Sequence, residues 1–472
     1  MKQSIMKRLV SGILISSMLL GVSACGNKEQ VVIEPMEKEE VHSVSFDFLG
    51  GADVMPISGY YGPLTGPDSV DGESLPNYFT DEIFQKISGA GVNMIHHANT
   101  NYVLAPEQVF QMLELGEKHN VGICVFDGQI CQPTPGVDKD LNVVDARISE
   151  YCDYPAFCGL YVVDEPGTSY YIPTENQSRD ISTYATVFQT LRELGVFGAG
   201  NLLGVWKEAD REKYRQYVEE YCEKCDPMFL SFDYYVWDRH NNSTKSGFLY
   251  NMDTIRHYAE KYELPFWCYI QAGSQWGDGG QVFDSGELIP TEGQLQWNVN
   301  VALAYGVKGI EYFPLIQPHY FSYAVSKDYD FQRNGILGAW GNKTQWWHYA
   351  KKMNTQIGAI DHVLMNSVNK GVIVTGEVAT KETDGLEFIM QGDSWRELAS
   401  VEGNTMIGCF NYQGKSALYV VNYEHEYAQK VTLNLHDSYN MSIIQNAEQS
   451  NVNTDTLTLD LKAGEGALIV FD

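Results

Sequence analysis

From about residue 44 to residue 360 the chain alternates between two patterns. Short runs of aliphatic, β-branched and aromatic residues are separated by stretches in which apolar residues recur at helical spacing. The runs are "VSFDFLGG", "VNMIHHAN", "VGICVFDG", "GLYVVDEP", "GNLLGVW", "MFLSFDYYVW", "PFWCYIQAG" and "KGIEYFPL". Between them, "PEQVFQMLELGEKHN" puts Pro106 in a first helical turn and Val109, Met112 and Leu113 on one face. "TEGQLQWNVNVALAYG" opens with Thr291 and Gln294 at capping-box spacing and closes on Gly306. "REKYRQYVEEYCEK" and "TQWWHYAKKMNTQIGAI" are equally helical. Strands alternating with helices in this number predict an α/β fold, a (β/α)8 TIM barrel over residues 44–361. A doubly wound sheet uses the same elements, but no glycine-rich phosphate loop follows any strand, which speaks against a nucleotide site.

After residue 362 the texture changes. "GVIVTG", "LEFIMQG", "TMIGCFNYQG", "SALYVVNYEHE", "AQKVTLNL", "SIIQNA", "TLTLDL" and "GALIVFD" are short, often alternating runs divided by polar turns. They predict an antiparallel β-sandwich without helices over residues 362–472, in an accessory role.

The first residues read differently again. Lys2, Lys7 and Arg8 form a basic leader before the apolar stretch Leu9 to Leu20, and "VSAC" ends at Cys25. This resembles the lipobox of bacterial lipoproteins. The resemblance implies a signal peptide over residues 1–24, an acylated Cys25 carrying a palmitate-type chain, and a charged tether over residues 25–43. The domain is then expected outside the cytoplasm, held to the cell membrane by the lipid alone.

A formal charge of −29 argues against nucleic acid as a partner, since phosphate binding needs clustered Lys and Arg. Cys222 and Cys225 in "YCEKCDP" lack the second pair or nearby histidines a zinc site requires, and Cys124 and Cys268 lie in strand-like runs as small apolar residues. No metal and no cofactor is assigned, and the oligomeric state is not legible.

In a barrel, reactive groups gather at the C-terminal ends of the strands. The polar residues at those positions are His97 beside His96, Asp127, the adjacent pair Asp164 and Glu165, Asn201, Asp233, Gln271 and Glu311. Tyr234, Tyr235, Trp237, Trp276, Tyr312 and Trp340 accompany them. Sugars present flat apolar faces edged by hydroxyls, so aromatic platforms beside carboxylates and amides suit an oligo- or polysaccharide. Two adjacent carboxyls raise each other's cost of ionising, which fits Glu165 as a proton donor with Asp164 ionised beside it.

The strand ending "DEP" resembles the glycoside hydrolases of the clan-A barrel type, in which an Asn-Glu pair, often followed by Pro, ends the fourth strand. Glu165 matches the acid/base glutamate and Pro166 the proline, while Asp164 replaces the asparagine. "QLQWNVNVALAYGVKGIEYF" is similar to the last helix and strand of β-galactosidase-like barrels, and a β-sandwich often follows such barrels. The resemblance implies a glycosidase with a nucleophilic glutamate ending the seventh strand, where this chain carries Gln271. The second carboxylate is then expected from Asp233 or Glu311. Adjacent Asp-Glu also resembles hexosaminidases, in which the substrate's acetamido group attacks and the Asp orients it. A non-catalytic carbohydrate-binding lipoprotein is the reading from another class.

Overall fold

The computed structural model describes residues 53–63, 69–70, 73–74, 76–96, 106–131, 141–167, 181–237, 243–273, 291–317, 335–392 and 394–472. Eight parallel strands close into a barrel: β1 (Ile57–Tyr60), β2 (Met94–His96), β3 (Gly122–Val125), β4 (Phe157–Asp164), β5 (Gly198–Leu203), β6 (Leu230–Asp233), β7 (Phe266–Gln271) and β8 (Gly309–Phe313). Each pairs with its neighbours in the sequence, and β8 closes on β1. Seven of the eight runs quoted above supply these strands. The first does not: β1 is "ISGY", and "VSFDFLGG" lies outside the described residues.

Helices alternate with the strands: α1 (Asp81–Gly89), α2 (Pro106–His119), the single turn α3 (Gly128–Cys131), α4 (Leu141–Tyr151), α5 (Ile181–Leu194), α6 (Arg211–Cys225), α7 (Lys245–Lys261), α8 (Glu292–Tyr305) and α9 (Gln345–Met365). Local chemistry sets their ends. On α8 the Thr291 side chain accepts from the Gln294 backbone N–H, the Gln294 side chain accepts from that of Thr291, and Gly306 takes the left-handed conformation. Val109, Met112 and Leu113 of α2 are buried, as their spacing requires.

Alternation along each strand splits the core. Ile57, Ile95, Ile123, Leu160, Leu202, Phe232, Ile270 and Ile310 face the helices. Tyr60, Met94, Cys124, Tyr161, Ala199, Phe229, Trp267 and Tyr269 fill the lumen. The register of β4 against β5 shifts between Tyr161 and Val163, so that Tyr161 lies beside Ala199 and Asp164 beside Asn201. Without that bulge, strict alternation from Tyr161 would send Glu165, and not Asp164, into the lumen.

The C-terminal part is one mixed sheet of β9 (Ser367–Thr375), β10 (Ile389–Met390), β11 (Leu398–Glu402), β12 (Thr405–Tyr412), β13 (Lys415–Asn422), β14 (Gln429–Gln445), β15 (Glu448–Leu461) and β16 (Gly466–Phe471). The long β14 pairs with β11 through one half and with β16 through the other, and its register against β15 shifts between Asn434 and Tyr439. Val431, Leu433, Met441 and Ile443 from the two halves join Ile407, Leu418 and Val420 in one core, so the sheet folds over itself like a sandwich. A short helix, α10 (Glu377–Glu382), interrupts it where the sequence pattern predicted strands alone. The other face, through Met406, Phe410, Ala417 and Tyr419, packs into the barrel's own core. Asn300 of α8 fixes that junction: its amide donates to the Gly464 carbonyl and its oxygen accepts from the Tyr419 hydroxyl.

Candidate active site

Two carboxyl groups meet at the C-terminal end of the barrel, and a third, that of Glu165, follows one of them along the chain. Asp164 ends β4 and Asp233 ends β6, with Asn201 of β5 between them. The one amide nitrogen of Asn201 donates to Asp233 Oδ1 at 2.9 Å and to Asp164 Oδ1 at 3.4 Å. Its oxygen accepts from Ser231 Oγ at 3.2 Å, which fixes the amide's orientation. The two carboxylate oxygens therefore lie no further apart than those two contacts laid end to end. They are near enough for the charge of Asp164 to bear on Asp233.

Asp164 also accepts from the Tyr60 hydroxyl at 2.8 Å and from the Tyr161 hydroxyl at 3.2 Å. A carboxylate that receives three donors and returns none is suited to the ionised state. Asp233 differs in kind. Burial, with the charge of Asp164 added, pushes its carboxyl up to about 8, against the smaller opposing effect of Asn201. One acid of the pair is thus equipped to keep its proton at neutral pH while the other is stabilised as an anion.

Glu165 follows Asp164 directly. Its backbone is left-handed, φ +50°, and its N–H donates to the Asn201 carbonyl at 2.8 Å, so β4 ends by turning out of the sheet. The residue is half-buried, and its charge contributes to holding the phenols of Tyr217 and Tyr235 protonated. Tyr235 packs against Phe313 with ring centroids 5.1 Å apart, and Tyr60 stands edge-on to Tyr61 and Tyr161. These rings form an aromatic collar around the acids.

Other expected residues are placed elsewhere. Glu311 sits mid-strand on β8 and is 1% exposed; it lies within the lumen, 2.6 Å from His96 Nδ1. Burial, opposed by His96, raises its carboxyl above the ordinary value. Gln271 does end β7, but its oxygen accepts from the Trp237 backbone N–H and its nitrogen donates to the Gly273 carbonyl, so both ends serve the backbone. Trp237 turns its ring against Trp297 and His425 at the junction with the sheet. Asp127 is engaged by Tyr151 and Arg147 of α4. Tyr312 points out of the barrel and donates to Asn354 of α9; its neighbour Glu311 holds the inward position, because successive residues of a strand face opposite sides. Tyr234 stacks on Trp206 in the outer core. Trp340 is half-buried in the turn before α9. His97, Trp276 and Cys25 lie outside the described residues. Sequence reasoning missed Tyr60, Tyr161 and Tyr269. Their inward parity, shared with Ser58, Ala199 and Glu311 on the neighbouring strands, was the available signal.

Among the described residues no group of three or more His, Cys, Asp or Glu is arranged to hold a metal ion. No protein-family model matches the chain, and no curated protein does. Solved structures are similar to it. A catalytic mutant of a GH42 β-galactosidase from G. stearothermophilus aligns over 89% of this chain and 98% of that one, with 8% identity and a TM-score of 0.52. The β-galactosidase of Rahnella sp. R3 aligns over 89% and 99%, with 9% identity and a TM-score of 0.49. That of the psychrophilic Marinomonas ef1 aligns over 70% of this chain and 65% of that one, with 11% identity and a TM-score of 0.44. At 8% identity the likeness to the G. stearothermophilus structure is one of architecture, a closed parallel barrel with a separate sheet, and it meets the fold expected from the sequence.

Proposed function

We propose that this chain hydrolyses glycosidic bonds in an oligo- or polysaccharide, with Glu165 as general acid and base and the Asp164–Asp233 pair supplying the second carboxyl. The observation that carries the reading is the Asn201 amide nitrogen shared by Asp164 and Asp233, with Glu165 next along the chain. In this mechanism Glu165 protonates the leaving oxygen as the glycosidic bond breaks, and ionised Asp164 faces the positive charge developing at the anomeric carbon. Glu165 then takes a proton from the water that completes hydrolysis. The β-galactosidase from G. stearothermophilus that shares the fold agrees with a carbohydrate substrate.

A second reading is favoured by Gln271, whose amide is spent on the backbone where clan-A chemistry expects a carboxylate. In it the substrate's own acetamido oxygen attacks the anomeric carbon and forms a cyclic intermediate. Asp164 holds the acetamido N–H, Glu165 donates the proton to the leaving oxygen, and water reopens the ring.

A panel of aryl glycosides, with and without a 2-acetamido group, tests both. Glu165→Gln is expected to lower turnover about 10²–10⁴-fold on poor leaving groups while glycan binding persists. Unchanged turnover removes Glu165 from the mechanism. Cleavage confined to acetamido sugars, with Asp164→Asn as damaging as Glu165→Gln, selects the second reading. Binding of glycans without turnover by the unaltered chain replaces both with a carbohydrate-binding protein.

The same proposal locates the chain outside the cytoplasm, anchored through acylated Cys25, on the support of the basic leader, the apolar stretch and "VSAC". No described helix is long and apolar enough to cross a membrane. Cys25→Ala is expected to move the protein out of the detergent phase in a phase-partition assay; continued partition into detergent contradicts the anchor.

A further inference from the structure

Below the mouth, a line of polar side chains runs down the lumen to a buried pair that the proposed reaction does not use. At the floor His96 and Glu311, each 1% exposed, share the 2.6 Å contact between Nδ1 and Oε2. His96 lies flat on Trp267, ring centroids 5.7 Å apart and planes 3° from parallel, which fixes its orientation. Glu311 is the register neighbour of Tyr269 on β7 and of Ser58 on β1, so the three side chains leave their strands on the same side. The Tyr269 hydroxyl lies 3.3 Å from that of Tyr161, and Tyr161 donates to Asp164. His96 Nε2, Ser58 Oγ and Glu311 Oε1 are buried with no hydrogen-bonding partner among the described residues. Two phenols in single file thus stand between this polar floor and the mouth, and the lower one, Tyr269, opposes the rise of the Glu311 carboxyl.

A phenol has one hydrogen to give, so such a file points one way at a time. When Glu311 carries the proton it shares with His96, Tyr269 donates upward to Tyr161, and the bond from Tyr161 to Asp164 is strengthened. When Glu311 is an anion it draws the Tyr269 hydrogen downward, and Tyr161 loses that support. We propose that His96 and Glu311 are positioning residues: through Tyr269 and Tyr161 their shared proton sets the direction of the phenolic hydrogens and so how firmly Asp164 is held as a carboxylate. Burial, outweighing His96, already raises Glu311 above its ordinary value, which favours the upward arrangement. The other titratable groups around Asp164 are Tyr60 from β1, backed by Tyr61, then Glu165, which follows it in the chain, Asp233 from β6, and Tyr235 just beyond that strand. Neither substitution below removes any of them.

The inference deepens the proposed glycosidase reading and rests on it only for its kinetic arm. In carbon-13 NMR of the whole chain with labelled aspartate carboxyls, the resonance lost in Asp164→Asn identifies Asp164. Tyr269→Phe is expected to raise the Asp164 titration midpoint by about half a unit or more. Glu311→Gln, whose amide donates permanently to Tyr269 and carries no charge, is expected to lower it. Opposite shifts are what a purely structural role does not produce. Midpoints unmoved by both variants, or moved in the same direction, overturn the proposal. Should Tyr269→Phe lose its circular dichroism spectrum, Glu311→Gln decides alone, and no downward shift counts against the relay. The acidic limb of kcat/KM on a cleaved glycoside is expected to follow the same two directions. Failure to find any cleaved glycoside counts against the glycosidase and leaves the titration standing; hydrolysis with an unmoved midpoint counts against the relay alone.

Discussion

One amide nitrogen serves two carboxyls at the mouth of this barrel, and burial, with the charge of Asp164 added, raises the Asp233 carboxyl to about 8 in spite of it. Stability follows from it with a definite sign. Below about pH 4 Asp233 is protonated in both folded and unfolded chains. Between there and about 8 the unfolded chain ionises while the folded one keeps its proton, so stability falls as pH rises through that window. Asp233→Asn, which still offers Asn201 an acceptor, removes this contribution. Thermal melts at pH 5 and pH 8 are expected to differ by a few °C less in the variant than in the parent, roughly as ionisation linkage converts to melting temperature. An equal difference in both proteins denies the raised carboxyl. At this scale the sequence showed the adjacent acids, and strand parity showed which side chains enter the lumen. Depth was harder to see. Asp164, Asp233 and Gln271 are the last residues of their strands, whereas Glu311 is the middle residue of "GIEYF" and so lies a layer down.

Among the elements, α8 is held between the barrel and the sheet. On its outer side Gly408 of β12 lies so near that a Cβ there would stand 2.3 Å from the Ala304 carbonyl oxygen. Gly408→Ala must push sheet and helix apart or strain both, a cost of about 1–3 kcal/mol for overpacking. A lowered melting temperature with unchanged far-ultraviolet circular dichroism at 25 °C is the expected result; an unchanged melting temperature refutes the flush contact. Most elements were legible because period two and period 3.6 differ so plainly in this chain. The exceptions have physical causes. "ISGY" is a four-residue strand with a glycine, and its support comes from Leu315, against which a Cβ at Gly59 would press at 2.7 Å. The helix α10 is six residues long with no side-chain cap, so nothing local announces it. The bulge in β4 follows from pairing with β5, a long-range fact.

For the whole molecule, barrel and sheet share a core. Val372, Met406, Phe410, Tyr419 and Leu468 belong to the same buried cluster as Trp297 and Tyr305 of α8. A chain ending at Asn366, after α9, leaves that face of α8 open to water, and it is expected to be aggregated or to melt well below the full chain by sedimentation and calorimetry. A soluble truncation melting at the parent temperature contradicts the shared core. The sequence marked the change of texture near residue 362, yet α9 continues to Met365 because Val363 and Leu364 still have apolar neighbours to meet. It carried no sign that the two parts are one folding unit, since contacts between distant segments leave no local period. The ring of Trp237 lies 4.8 Å from that of His425, while its backbone N–H is tied to Gln271 at the rim. Sheet and rim therefore share a brace. On warming, loosening of the sheet should reach the rim before the barrel melts, so that the midpoint of heat inactivation lies below the midpoint of unfolding.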